Sequence, residues 1–235
     1  MAASCSKDEP TVEQPASKAI EGQFKIQMYN NGQAVALNDT LRNINGFNVI
    51  LNTVKFYLSD VTFISNDSSA SISQVELINM KSNEGASFPV KMYPGTYTSF
   101  KANAGLDADL NNSDPASFPN EDPLSIYNSM YWSMLKYRFA IIEGKAFNAD
   151  TTFFLAYHPG TDEVLKTIEL NTPVEWSATN NMVELSLDVK TLFEGENSTN
   201  TVDFYTEADT HSANAKQITT AHKIMTNLVA SLKLN

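Results

Sequence analysis

The stretch Met182-Val183-Glu184-Leu185-Ser186-Leu187-Asp188-Val189 decides the fold class of this chain. Its valines and leucines occupy every second position, and charged or small polar residues stand between them. This alternation is typical of a half-buried β-strand, because successive side chains of a strand point to opposite faces of the sheet. Further strand candidates lie at 24–28, 54–63, 74–79, 95–102, 137–142, 152–158 and 163–170.

Polar turn clusters such as Asn30-Asn31-Gly32 and Asn148-Ala149-Asp150 separate these segments. Many short strands with such punctuation favour an antiparallel sandwich or barrel over a parallel α/β sheet. From about Ala213 to Leu232 the apolar period changes to three and four residues, which predicts an amphipathic helix with Ser212 as its N-cap. We therefore expect a single all-β domain, an antiparallel β-sandwich with one C-terminal α-helix.

Charge and composition limit the classes of partner. The chain has 235 residues and a formal net charge of −11, which argues against nucleic acid as a partner. No apolar run approaches the roughly 20 residues that a transmembrane helix needs. Because Cys5 is the single cysteine, the folded body can hold neither a disulfide nor a thiolate metal site. A metal there would need nitrogen, oxygen or thioether ligands.

The N-terminal segment is typical of a processed lipoprotein. Ala2-Ala3-Ser4-Cys5 reads as the end of a lipoprotein signal, with lipidation on Cys5, although Ala2 stands where leucine is usual. Ser6-Lys7-Asp8-Glu9 resembles the sequence that follows the lipidated cysteine in surface-exposed lipoproteins of Bacteroidota. We interpret residues 1–21 as a signal remnant and flexible tether, and 22–235 as the folded domain. The prediction is an outer-membrane lipoprotein, surface-exposed or periplasm-facing, held by its lipid alone; the alternative is an incidental cysteine.

Three residues form the candidate chemical set: Trp132 within the aromatic stretch 128–139, His158 before Pro159-Gly160, and His211 before the predicted helix. Neutral imidazoles suit copper, zinc or nickel. Each residue also has a structural interpretation: packing for Trp132, a strand-end hydrogen bond for His158, and a turn or cap for His211. An unmodified indole nitrogen only donates, so Trp132 would need oxidation to bind a metal. His222 falls beside the apolar stripe of the helix and is excluded.

A second metal pattern begins at Asp107. Asp107-Ala108-Asp109-Leu110-Asn111 carries oxygen side chains at alternate positions, as at the start of an EF-hand loop. The sixth position is Asn112 rather than glycine, and the twelfth is Phe118 rather than glutamate. An ordinary acidic turn is the preferred interpretation, with a weak calcium site as the alternative.

Several blocks, taken in order, resemble the MbnP-like copper-binding domain family, named after a periplasmic protein associated with methanobactin. They are Val54 to Val61, Val75 to Asn79, Gly95 to Ser99, Gly105 to Asn111, Met130 to Met134 with Tyr137-Arg138-Phe139 and Glu143-Gly144, Tyr157 to Gly160, and Thr210 to Ser212 with Asn227. The resemblance implies copper held by His158, His211 and Trp132, the last oxidised to kynurenine by a MauG-type dihaem peroxidase. Two positions depart from the family pattern: Met134 replaces a second tryptophan, and Lys136 replaces a glycine.

No catalytic motif appears in the sequence, neither a nucleophile elbow nor a phosphate-binding loop nor a zinc-protease helix, so we do not expect an enzyme. The leading prediction is a copper-binding lipoprotein that stores the metal, senses it or passes it on. The alternative is a metal-free surface module for glycan or protein, with Tyr127, Tyr131 and Trp132 as its aromatic platform. The copper hypothesis requires His158 and His211 to meet, with ligating nitrogens within roughly 4 Å.

Overall fold

The computed structural model describes residues 18–66, 69–81 and 84–235. The proposed lipidation site, Cys5, lies outside these ranges. The strands are β1 (Ile20–Asn30), β2 (Gln33–Val35), β3 (Leu41–Ile44), β4 (Phe47–Ile64), β5 (Ser69–Asn79), β6 (Ala86–Met92), β7 (Gly95–Tyr97), β8 (Ser99–Ala104), β9 (Tyr131–Trp132), β10 (Lys136–Tyr137), β11 (Ala140–Phe147), β12 (Thr152–Tyr157), β13 (Lys166–Leu170), β14 (Val174–Trp176), β15 (Met182–Asp188), β16 (Asp209–Thr210) and β17 (Leu232–Leu234). The α-helices are α1 (Ala108–Asn111), α2 (Val189–Glu194) and α3 (Ala215–Ser231). Because β1 begins at Ile20, the last two residues assigned to the tether belong to a strand.

The first sheet has the order β17-β15-β1-β2, and β6 also pairs with β1. The alternation that decides the fold class is visible in β15, where Val183, Leu185 and Leu187 are buried. The antiparallel expectation needs one correction here, because β1 and β15 run parallel, with Phe24 opposite Val183. A parallel pair requires a long crossover, and most of the chain lies between these two strands.

The second sheet has the order β13-β8-β4-β11-β12-β16, with β3 and β5 also paired to β4. Its inner face packs on the first sheet. The ring of Phe24 on β1 lies 6.2 Å from Phe63 on β4 and 5.5 Å from Phe100 on β8, measured between ring centroids. These contacts join the two sheets through one hydrophobic core, so the all-β sandwich predicted from the sequence is confirmed.

Helix α3 lies within the predicted segment 213–232 and buries Ala221, Ile224, Met225 and Leu228. The predicted cap was wrong, because the side chain of Asn214 accepts the hydrogen bond from Gln217 N at the first turn. Ser212 is instead buried, and its hydroxyl accepts from Gly160 N at 3.2 Å. Within the described ranges, no helix is long and apolar enough to cross a membrane.

Candidate metal site

A short parallel pairing brings the two candidate histidines together. Strands β12 and β16 pair in parallel, with Ala156 opposite Asp209 and Tyr157 opposite Thr210. His158 directly follows β12, and His211 directly follows β16. His158 N donates to Thr210 O at 2.8 Å. Residues at equivalent positions of a paired register are neighbours in space, so the register itself places the imidazoles side by side.

The rings of His158 and His211 lie 4.9 Å apart between centroids, at an interplanar angle of 68°. The indole of Trp132 lies 5.7 Å from the His211 ring, edge to face. An open cavity of about 230 Å³ is lined by Tyr131, Trp132, Arg138, His158 and His211. The two imidazoles and the indole therefore meet at one cavity, as the copper hypothesis expects. The distance between the ligating nitrogens and the role of the three residues as ligands stay predictions.

The β9–β10 hairpin carries Trp132 to this cavity. The residues that follow the hairpin are hydrogen-bonded to the segment after His158. Phe139 N donates to Pro159 O at 2.6 Å, and Arg138 forms an antiparallel β-bridge with Gly160. A Cβ at Gly160 would lie 2.8 Å from Tyr137 O, so only glycine lets the two backbones approach this closely. The motif Tyr157-His158-Pro159-Gly160 thus serves both to present the histidine and to seat the hairpin.

Glu143 orients His158, an arrangement that sequence reasoning did not assign. Glu143 on β11 pairs with Ala156 on β12, and His158 follows two residues later on that chain. The carboxylate contacts His158 Nε2 at 2.8 Å. Burial lowers the pKa of His158, the charges of Arg138 and His211 act in the same direction, and the bond to Glu143 opposes them. A neutral ring that donates its Nε2–H to Glu143 presents Nδ1 as its free lone pair.

The donor set fits a metal ion that prefers imidazole. At metal–nitrogen distances of about 2.0–2.1 Å and a tetrahedral angle, two imidazole centroids stand about 5 Å apart, as these do. Across residues 18–66, 69–81 and 84–235, no third His, Cys, Asp or Glu completes a three-ligand cluster. The pair therefore needs a further donor of another kind, and the neighbouring side chain is Trp132.

Other residues of the blocks that resemble the family, and the excluded His222, lie away from the cavity. Met130 is fully buried in the core, and Met134 is 74% exposed at the hairpin tip, where it lines a separate hollow with Asn111 and Asp162. His222 on α3 contacts Lys166 Nζ through its Nδ1 at 3.3 Å. Asp60 accepts from the side chain of Asn103 at 3.0 Å. None of these four residues lines the cavity beside the histidines.

The calcium alternative finds no support. The side chain of Asp107 caps α1 by accepting from Leu110 N at 2.8 Å. Asn111 is buried, and its amide donates to Asp162 while its oxygen accepts from Tyr137 N. Asp107 and Asn111 therefore make structural hydrogen bonds, as in the ordinary acidic turn that the sequence favours.

Comparison with known proteins gives a consistent result. The family model described as MbnP matches residues 20–217, a range that contains Trp132, His158 and His211. Among solved structures, MbnP from Methylosinus trichosporium is similar with a TM-score of 0.57 over 80% of each chain, at 13% sequence identity. That likeness concerns the fold. No curated protein matches the chain.

Proposed function

Because this chain belongs to the MbnP family, we propose that it is an envelope protein that binds one copper ion between His158 and His211. The observation that carries the proposal is the parallel register of β12 and β16, which sets the two imidazoles at a separation suited to a shared ion. Copper is favoured among imidazole-binding metals by the family, since the donor types alone also suit zinc. The role is binding without catalysis: storage, sensing or transfer.

Each residue has a distinct part in the proposed site. His158 offers Nδ1, since Glu143 holds its other nitrogen and fixes the tautomer. His211 faces it across the cavity. Trp132 is the third group, and it becomes a ligand only after oxidation to kynurenine, since an indole N–H has no lone pair to give. When bound, the ion would act as a soft Lewis acid, and the oxidised side chain of Trp132 would donate an electron pair to it.

The oxidation of Trp132 requires a partner. We propose a dihaem peroxidase of the MauG type, which draws its oxidising equivalents from peroxide. Trp132 is partly exposed at the rim of an open cavity, so an enzyme can approach it from outside. Met134, where many relatives carry a second tryptophan, is also exposed on the same hairpin.

The membrane part of the proposal rests on Cys5, with lipidation there tethering an outer-membrane protein of the Bacteroidota type. Its domain would face the surface or the periplasm. The lipid would be the sole anchor, and the acidic chain would have no role with nucleic acid.

The decisive experiment is a Cu(I) titration against a competing chelator, with protein made with and without a co-expressed dihaem peroxidase. We expect one copper per chain, and at least about 100-fold weaker binding in His158→Gln and His211→Gln, because even outer-shell partners matter 10–100-fold. His222→Gln, the third histidine of the chain, is the matched control and should bind as the wild type does. Intact mass and peptide mapping should locate oxidation at Trp132 only in the co-expressed protein.

The metal-free binding module is the alternative outcome of this experiment. It would be favoured by the absence of stoichiometric copper in both preparations together with an unmodified Trp132. The structure gives the aromatic platform partial support, because Tyr127 is 73% exposed. Tyr131, however, packs edge to face on buried Tyr137 at 5.2 Å and does not present a free ring face on that side.

A further inference from the structure

Arg138 is the cation beside the two histidines. It lines the same cavity, and its guanidinium donates to the backbone oxygens of Ser129 and Met130, which precede the hairpin. Throughout the described part of the chain, no carboxylate comes within 4 Å of it to form an ion pair. Backbone hydrogen bonds therefore hold the guanidinium in place, and among the described residues no ion pair neutralises its charge.

Glu143 is the second charge next to His158, and it also acts electrostatically on Arg138. Its carboxylate bonds His158 Nε2, and both Arg138 and Glu143 act electrostatically on that imidazole, in opposite directions. An imidazole binds a metal in its neutral form, so Arg138 and Glu143 are the formal charges next to the proposed site. Any bound ion would feel a repulsion from Arg138 that grows with the charge of the ion.

We propose that Arg138 is a specificity-determining residue that makes the His158–His211 site discriminate against divalent ions in favour of monovalent copper. The inference rests on the proposed metal site. An imidazole pair without such a neighbour would take Cu²⁺ or Zn²⁺ readily, because nitrogen donors follow the usual order of affinity for divalent metals. Arg138 opposes that order through charge alone, and Glu143 limits the effect by cancelling part of it.

The test compares the dissociation constants for Zn²⁺ and for Cu⁺, the latter measured anaerobically against a chelator, in protein co-expressed with the dihaem peroxidase so that Trp132 is oxidised. Arg138→Gln should shift the ratio of the two constants towards Zn²⁺ by about tenfold, the size of one extra charge–charge interaction at a partly exposed site. Arg138→Lys should keep most of the wild-type ratio, because it retains the charge. Arg42→Gln is the matched control: Arg42 is the other arginine of the chain, and it lies exposed at a different surface hollow.

Glu143→Gln supplies an independent arm of the test. Its side-chain oxygen can still accept from His158 Nε2, but the negative charge is gone, so the ratio should move away from Zn²⁺. The inference is overturned if Arg138→Gln changes both dissociation constants by the same factor, or if Glu143→Gln does not shift their ratio in the opposite direction. Either result leaves the copper proposal intact. If the wild type binds neither ion, both the inference and the proposed function fail.

Discussion

Glu143 and Glu76 are two partly buried glutamates of the second sheet, and their partners give them different roles. The partly buried carboxylate of Glu143 contacts His158 and so orients a ring at the candidate site. Glu76 on β5 has no histidine, lysine or arginine partner within the described residues. Burial raises the pKa of Glu76, and a hydrogen bond with Ser73 offsets only part of that effect. At the residue scale, the same side chain orients a histidine ring at one position and is a local cost at the other.

This difference predicts that Glu76→Gln stabilises the protein at neutral pH. A raised carboxyl pKa means that the folded state binds the proton more tightly than the unfolded state. The stabilisation from that proton is present below the ordinary pKa and is lost as pH rises through the folded-state value. The glutamine variant should therefore melt about 1–2 °C higher at pH 7, with the gain vanishing near pH 4. Thermal melts of Glu121→Gln, at an exposed position, provide the control; an equal gain at both pH values would refute the argument.

At the scale of elements, strand β11 is the support of the site. Its pairing with β4 shifts register between Glu143 and Gly144, so that Thr53 lies opposite the first and Leu51 opposite the second, with Asn52 left over. Such a bulge bends a strand locally and re-aims the side chains beside it. A Cβ at Gly144 would lie 2.0 Å from Ile50 O. Strands β4 and β11 therefore approach so closely at position 144 that only glycine fits there.

Gly144→Ala should therefore lower the free energy of unfolding by about 2 kcal/mol, since overpacking costs about 1–3 kcal/mol. Urea denaturation measures the loss directly. The control is Asn52→Ala at the same bulge, whose exposed side chain should be worth no more than about 0.5 kcal/mol. An unchanged midpoint in Gly144→Ala would mean that β4 and β11 separate at no cost, contrary to the close contact described here.

At the scale of the whole molecule, one core joins both sheets and continues to the region where β1 begins. Trp176 is 1% exposed and donates its indole N–H to Ile20 O at 3.3 Å. The first strand is thus fixed to the core from its first residue.

Cys5→Ser should release the protein from the membrane without unfolding it. The reason is that a lipid chain supplies about 0.8 kcal/mol for each buried CH₂, and serine has no thiol to carry that lipid. Protein expressed behind a lipoprotein signal in a Gram-negative host should pass from the membrane to the soluble fraction, and labelling with a lipid precursor should disappear. Membrane association that persists in Cys5→Ser, with unchanged labelling, would contradict the lipid anchor.

The sequence by itself determined the main strands, helix α3 and the types of side chain available for chemistry. The alternation in Val183, Leu185 and Leu187 and the helical stripe at Ala221, Met225 and Leu228 are local periods, and a local period is enough to say which face of an element is buried. Residue type and setting named His158, His211 and Trp132 as candidates, and the resemblance to a family implied that they bind copper, which stays a prediction. Their expected convergence came from the resemblance to a family, because spacing along the chain carries no information about distance in space.

Only the tertiary structure decided how those parts meet. The parallel pairing of β1 with β15 and of β12 with β16 joins segments far apart in sequence, and no local pattern records which strand a given strand will choose. The contact of Glu143 with His158 and the place of Arg138 at the cavity depend on that pairing and on the bulge beside Gly144. Ser212 shows the same limit: its sequence context fits a helix cap, yet a hydrogen bond from Gly160 holds it in a turn instead. Local periodicity fixes faces and element types, whereas the site exists only through long-range register.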